Sequence, residues 1–202
     1  MDFAGLKTAV QSTFSGRTDI PDHIYEVTLA ELNRDARTMD MQATSTLSAS
    51  AESVSLPSDF LEAITAHIDD GTSRVQLRPF TPDALNVNRY GTGRPDEYAI
   101  VDGAMLLKPT PDGSYDVELR YFQRLSTLSA DADQNAVLEI YPEVYLYCAL
   151  KHTAMWAGDP DRVMQFEASY RSAFSRMTVS ERRRANSGPI KQKIVRDMSC
   201  QT

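Results

Sequence analysis

Tyr115-Asp116-Val117-Glu118-Leu119-Arg120-Tyr121 is the stretch on which the fold turns. Apolar and charged residues alternate without a break. Side chains of an extended chain point to opposite faces in turn, so Tyr115, Val117, Leu119 and Tyr121 share one face and Asp116, Glu118 and Arg120 the other. This is a strand over a core with its other side wet. The pattern repeats upstream. Met39, Met41, Ala43, Ser45 and Leu47 alternate with polar residues, Ser48 to Glu52 reads as a loop, and Val54 and Leu56 begin the return. Asp70-Gly71 separates Leu61–Ile68 from Arg74–Phe80, where Val75 and Leu77 face one way and Arg74, Gln76 and Arg78 the other. Asp102-Gly103 joins Tyr98–Val101 to Ala104–Lys108 with a residue pair suited to a type I′ turn, and Pro111-Asp112-Gly113 supplies the next turn. Thr81-Pro82-Asp83 predicts the cap and first turn of a short helix, and Arg89 to Pro95 a Gly-rich connection. Together these runs predict an antiparallel sheet with one wet face.

Helical spacing brackets the strands. Phe3, Leu6 and Val10 predict a helix over Phe3 to Thr13. Asp19-Ile20-Pro21 pairs a capping carboxylate with a first-turn proline, and Tyr25, Leu29, Leu32 and Ala36 form the stripe behind it. After Ser129 the helices return. Pro142 opens a run, Val144 to Trp156, that is apolar nearly all round and must be surrounded. Gly158 ends it, and Asp159-Pro160 restarts the chain as a helix striped by Val163, Phe166, Tyr170, Phe174 and Met177. Gly188-Pro189 stops that helix. The predicted fold class is α+β: a helical bundle formed by the N- and C-terminal segments, 1–37 and 129–188, with an inserted antiparallel β-rich domain at 38–128 and a C-terminal arm at 189–202.

At 202 residues with 42% hydrophobic content the chain can bury a real core. The net charge of -7 argues against a general nucleic-acid binder, which is usually basic. No run has the apolar length of a membrane helix, and no basic stretch with an apolar core follows Met1-Asp2-Phe3, so neither a membrane partner nor a signal peptide is expected. Cys148 lies in an apolar helical run and Cys200 in a polar tail, which reads as two free thiols in a reducing compartment.

No residue set carries chemistry. His23, His67 and His152 have no metal-ligand spacing around them, and His23 and His152 read as ordinary surface or interface residues. Asp131, Asp133 and Asn135 start like a calcium loop, but Ala136 and Pro142 stand where glycine and glutamate are needed, so these residues read as caps for the next helix. Gly91-Thr92-Gly93-Arg94 lacks the Lys-Ser/Thr end of a phosphate loop. Tyr141, Tyr145 and Tyr147 read as core packing. The expectation is no catalytic residue, no cofactor and no metal.

Charge is unevenly placed. From Ser180 onward six cations (Arg182, Arg183, Arg184, Lys191, Lys193, Arg196) face two anions (Glu181, Asp197), giving +4 and leaving -11 for the remainder. A basic arm on an acidic body can dock on an acidic partner, with Ile190, Ile194 and Val195 as the apolar part of the contact.

Several stretches in order resemble the head–tail adaptor (connector) proteins of tailed bacteriophages. They are Leu56-Pro57-Ser58-Asp59-Phe60-Leu61-Glu62, Arg78-Pro79-Phe80-Thr81-Pro82 and Gly93-Arg94-Pro95-Asp96-Glu97-Tyr98-Ala99-Ile100. Leu107-Lys108-Pro109-Thr110-Pro111-Asp112, Tyr121-Phe122, Leu128-Ser129 and Pro142-Glu143-Val144-Tyr145-Leu146-Tyr147-Cys148-Ala149-Leu150 continue the series, so the likeness runs from about Arg37 to Met177. One departure is Asn135-Ala136-Val137-Leu138, where the family has a tryptophan. The resemblance implies a virion structural protein of the neck, made in the host cytoplasm, that forms a homo-oligomeric ring, typically dodecameric. Its partners would be the portal protein and a tail or nozzle component. Packaged DNA would pass through without sequence-specific binding. The same likeness makes the basic arm a portal-binding element, through Arg182, Arg183, Arg184, Ile190, Lys191, Lys193, Ile194 and Val195. The competing readings are a small DNA-binding regulatory protein using the basic C-terminal stretch, which predicts steeply salt-dependent affinity, and another neck or tail component.

Overall fold

The computed structural model describes residues 1–69, 71, 73–81 and 91–186. Among them the chain forms five α-helices, a short 3₁₀ turn and eight strands. The fold is α+β. The expected short helix lies outside the described residues from Pro82 on, as do part of the Gly-rich connection, the arm beyond Asn186 and Cys200.

Helix α1 spans Phe3–Thr13. The Asp2 carboxylate accepts from the Gly5 N–H at 2.8 Å, satisfying one of the free amides of its first turn. Helix α2 spans His23–Asp35 and begins later than Asp19-Ile20-Pro21 predicts. Asp19 is occupied by Arg17 through paired bonds of 2.9 and 2.6 Å, and Asp22 takes the N-cap position without a side-chain bond. Helix α3 spans Ala136–Ile140, α4 Pro142–Ala157 and α5 Pro160–Ala185. Asn135 caps α3 by accepting from the Leu138 N–H, and Val137 and Leu138 are fully buried where the departure from the family pattern falls. Asp133 closes a turn, accepting from the amides of Ser129 and Ala130. Asp131 instead pairs with Lys7.

The all-round apolarity of α4 is explained by its neighbours: α1, α2, α3 and α5 all pack against it. Tyr145, Cys148, Ala149 and Ala154 are fully buried. Gly158 ends the helix at φ +70°, a left-handed conformation that costs glycine nothing.

The strands are β1 (Gln42–Ala49), β2 (Ser53–Ser55), β3 (Phe60–Asp69), β4 (Arg74–Gln76), β5 (Arg78–Pro79), β6 (Glu97–Val101), β7 (Ala104–Lys108) and β8 (Tyr115–Gln123). They form two four-stranded sheets, in the orders β1-β8-β3-β4 and β2-β7-β6-β5. The single antiparallel sheet expected from the alternation is therefore two, and one pair, β5 with β6, is parallel. Val117, Leu119 and Tyr121 face inward as expected, against Tyr98, Met105 and Leu107 of the other sheet. Asp102 and Gly103 both take positive φ, +49° and +76°, the twist a two-residue hairpin needs.

Two local expectations fail. Met39 and Met41 belong to a 3₁₀ turn and not to the strand, so the alternation that counts begins at Gln42. Val54 does not return along β1; β2 crosses to the second sheet and pairs with β7. Val75 and Leu77 face the same way as expected, beside Ile68 and Ala66, but differ in depth. Val75 lies opposite Ile68 on an edge and is 42% exposed, while Leu77 is buried.

Candidate functional site

The helices bring two clusters of polar side chains together away from the open surface. The first lies where the end of α5 meets the chain leaving α2. Helix α5 is 26 residues long, capped by Asp159 and opened by Pro160, and its stripe of Phe166, Tyr170, Ala173 and Met177 is buried. One turn beyond Met177 the stripe delivers Glu181 into the same position. Its carboxylate accepts from the Met39 N–H at 2.5 Å, from the Tyr141 hydroxyl at 2.6 Å and from Arg184 at 2.7 Å. Arg184 also reaches Asp40 through bonds of 2.6 and 3.1 Å. Burial works to raise the Glu181 carboxyl, but its donors outweigh burial and hold it below the usual range. The hydrogen bond from Arg184 lowers Asp40.

The three sequence-predicted arginines therefore do different things. Arg184 is turned back onto the chain's own carboxylates, while Arg182 and Arg183 are exposed at the end of the helix. Beside them a groove of about 350 Å³ is lined by Asp35, Arg37, Met39, Phe174, Met177 and Arg182. Ile190, Lys191, Lys193, Ile194 and Val195 lie outside the described residues. Removing the Glu181 carboxylate leaves the Met39 amide without its acceptor and the Tyr141 hydroxyl with only a 3.3 Å contact to Ser180, so Glu181→Ala is expected to cost ~2 kcal/mol. Urea denaturation checks this, with Arg182→Ala, on the exposed side, leaving the midpoint unchanged.

Sequence reading missed the second cluster. His152 is no ordinary surface residue: its Nε2 lies 2.6 Å from Glu31 of α2, and its side chain is largely covered. Lys151 bonds the other oxygen of the same carboxylate and lies 3.4 Å from Glu167 of α5. Cys148, one turn before His152 on α4, completes a group of three metal-ligand residue types whose atoms lie within 4.8 Å of one another. The i, i+4 spacing of Cys148 and His152 was the available signal. The chemistry nevertheless runs the other way from a metal centre. Burial raises the Cys148 thiol, which keeps its proton. A contact of 2.6 Å to a carboxylate oxygen makes His152 Nε2 a donor, and the Lys151 ammonium stands where a cation would come. One acceptor, the Glu31 carboxylate, is surrounded by donors. The other two histidines are elsewhere: His23 is exposed at the start of α2 and His67 half-buried on β3.

The interior polar groups of both clusters tie helices together, and the longest helix ends in exposed cations. The family model for the SU10 adaptor protein matches residues 1–193, and the chain belongs to this family of bacteriophage head–tail adaptors. It is a structural component of the virion. No curated protein matches the chain.

Proposed function

We propose that copies of this chain form a ring between the portal and the tail, extend the channel through which DNA passes, and act by geometry and not by turnover. The observation that carries this reading is the family match over nearly the whole chain. The ring is dodecameric on the resemblance. An acidic body suits a DNA conduit, because like charge keeps the duplex from adhering.

In this reading the helices of 1–37 and 129–188 make one unit and 38–128 a β-rich insertion. The separation of the buried apolar residues into a helical cluster and a sheet cluster supports that division. The arm, 189–202, docks on the portal. Arg182, Arg183, Lys191 and Lys193 supply charge-assisted contacts, while Ile190, Ile194 and Val195 are buried against the partner. Arg184 contributes by fixing the helix end from which the arm departs.

The test is a chain ending at Asn186, which keeps α5 and its Glu181 and Arg184 contacts. It is expected to unfold at the same midpoint as the full chain and to fail to co-sediment with portal particles. Binding as tight as that of the full chain would place the portal contact on the helices instead.

A further inference from the structure

Each sheet has two edges, and an edge strand presents unpaired N–H and C=O groups to any other strand that can reach them. Three of the four edges here are guarded. Strands β2 and β4 are three residues long, β4 begins at Arg74, and β5 is two residues long and contains Pro79. Strand β1 has none of these defences. It is eight residues long, Gln-Ala-Thr-Ser-Thr-Leu-Ser-Ala, with no charge and no proline. It pairs with β8 residue for residue from Gln42 to Ala49 without a bulge, whereas β3 on the other side of β8 shifts register twice. The Gln42 N–H is taken by the Met39 carbonyl at the end of the 3₁₀ turn; from Ala43 to Ala49 no backbone–backbone bond leaves that ladder among the described residues.

The sequence of β1 also fits itself. Laid antiparallel about Thr46, it sets Thr46 opposite Thr46, Thr44 opposite Ser48, Ser45 opposite Leu47 and Ala43 opposite Ala49. Opposed residues in an antiparallel pair point to the same face. Every hydroxyl of the exposed face thus meets a hydroxyl, every inward residue meets an inward one, and no like charges oppose. Threonine pairs of this kind are favourable across strands.

We propose that β1 pairs with β1 of a second copy of this chain, merging two four-stranded sheets into one continuous sheet across a two-fold axis at Thr46. The contact is isologous, uses each edge once and closes at two copies, so it is distinct from the head-to-tail contacts a ring requires. It belongs to the free chain, where it covers an edge that would otherwise recruit strands indiscriminately, and it stands whether or not the portal reading does.

Sedimentation velocity of the full chain over a broad range of concentration is expected to show a reversible monomer–dimer equilibrium. Thr46→Lys puts two ammonium groups opposite each other on the exposed face. It is expected to leave only monomer, with the thermal midpoint unchanged. In a Cys200→Ser background, Thr46→Cys is expected to form a disulfide-linked dimer on mild oxidation. Thr44→Cys, whose two copies lie far apart in this register, is expected not to. A chain that stays monomeric at every concentration overturns the proposal. So does a dimer that survives Thr46→Lys, or one that crosslinks equally from positions 44 and 46.

Discussion

Leu119→Ala is expected to lower the free energy of unfolding by about 4 kcal/mol, near the upper end of what leucine truncations in cores cost. Leu119 sits mid-way along β8, the strand flanked by β1 and β3, and is fully buried. Its cross-strand neighbours are Ser45 on one side and Ala66 on the other. Both are small, so neither can swing into the space the isobutyl group leaves. The second sheet is held across from it by Met105 and Leu107. The cavity therefore persists, and its cost adds to the lost transfer free energy. Val75→Ala is the control. That residue projects from an edge at 42% exposure and is expected to change stability by less than ~0.5 kcal/mol. Val75 shares the inward face with Leu119, since it lies opposite Ile68 and Ile68 opposite Val117, so equal shifts in the two denaturation curves would mean that the edge at β4 is covered and not open.

The contrast between those two valine and leucine positions shows what periodicity can and cannot reveal. Alternation assigns faces, and it assigned those of β8 correctly because that strand is paired on both sides. It says nothing about neighbours. Strand β8 inserts between β1 and β3, and β2 leaves for the other sheet; both facts depend on pairing across long stretches of chain. Features written in two or three adjacent residues were legible: the Asp102-Gly103 turn, the Gly158 helix end and the Asp159-Pro160 restart. Where local signals compete, as at Asp19 and Asp22, an ion pair with Arg17 decided the outcome and composition did not show it. The polar clusters were illegible for the same reason. Arg184 meets Asp40, and Glu31 meets His152, only because packed helices bring distant segments together.

Glu31→Ala is expected to destabilise the chain by about 3 kcal/mol, because it leaves the Lys151 ammonium buried without its carboxylate. Lys151 is only 6% exposed at its side chain, and its remaining partner, Glu167, is farther away at 3.4 Å and shared with Arg171. Ring contact with Tyr170, at 4.7 Å to the centroid, cannot replace a full charge. The same cluster sets a pH dependence. Burial alone would raise the Glu31 carboxyl, but Lys151 and His152 hold it below its ordinary value. The folded state therefore binds that proton less readily than the unfolded chain, and the stabilisation is present above the unfolded value of 4.5 and lost as pH falls through the lower folded value. Burial lowers His152 against the opposing pull of Glu31, so the unfolded chain also takes up this proton first. Stability is thus expected to decline on acidification beginning near 6.5, the unfolded histidine value, and to fall further as the carboxylates protonate. Lys151, held above 10.5 by Glu31 despite its burial, gives the opposite flank, losing its contribution as pH rises through its folded value. Urea midpoints across the pH range for the native chain and His152→Gln check the assignment. Glutamine keeps a donor toward Glu31 but does not titrate, so the decline between 6.5 and the carboxylate range should flatten, while the loss below it remains. An unchanged profile in His152→Gln would show that another group is responsible for the first step.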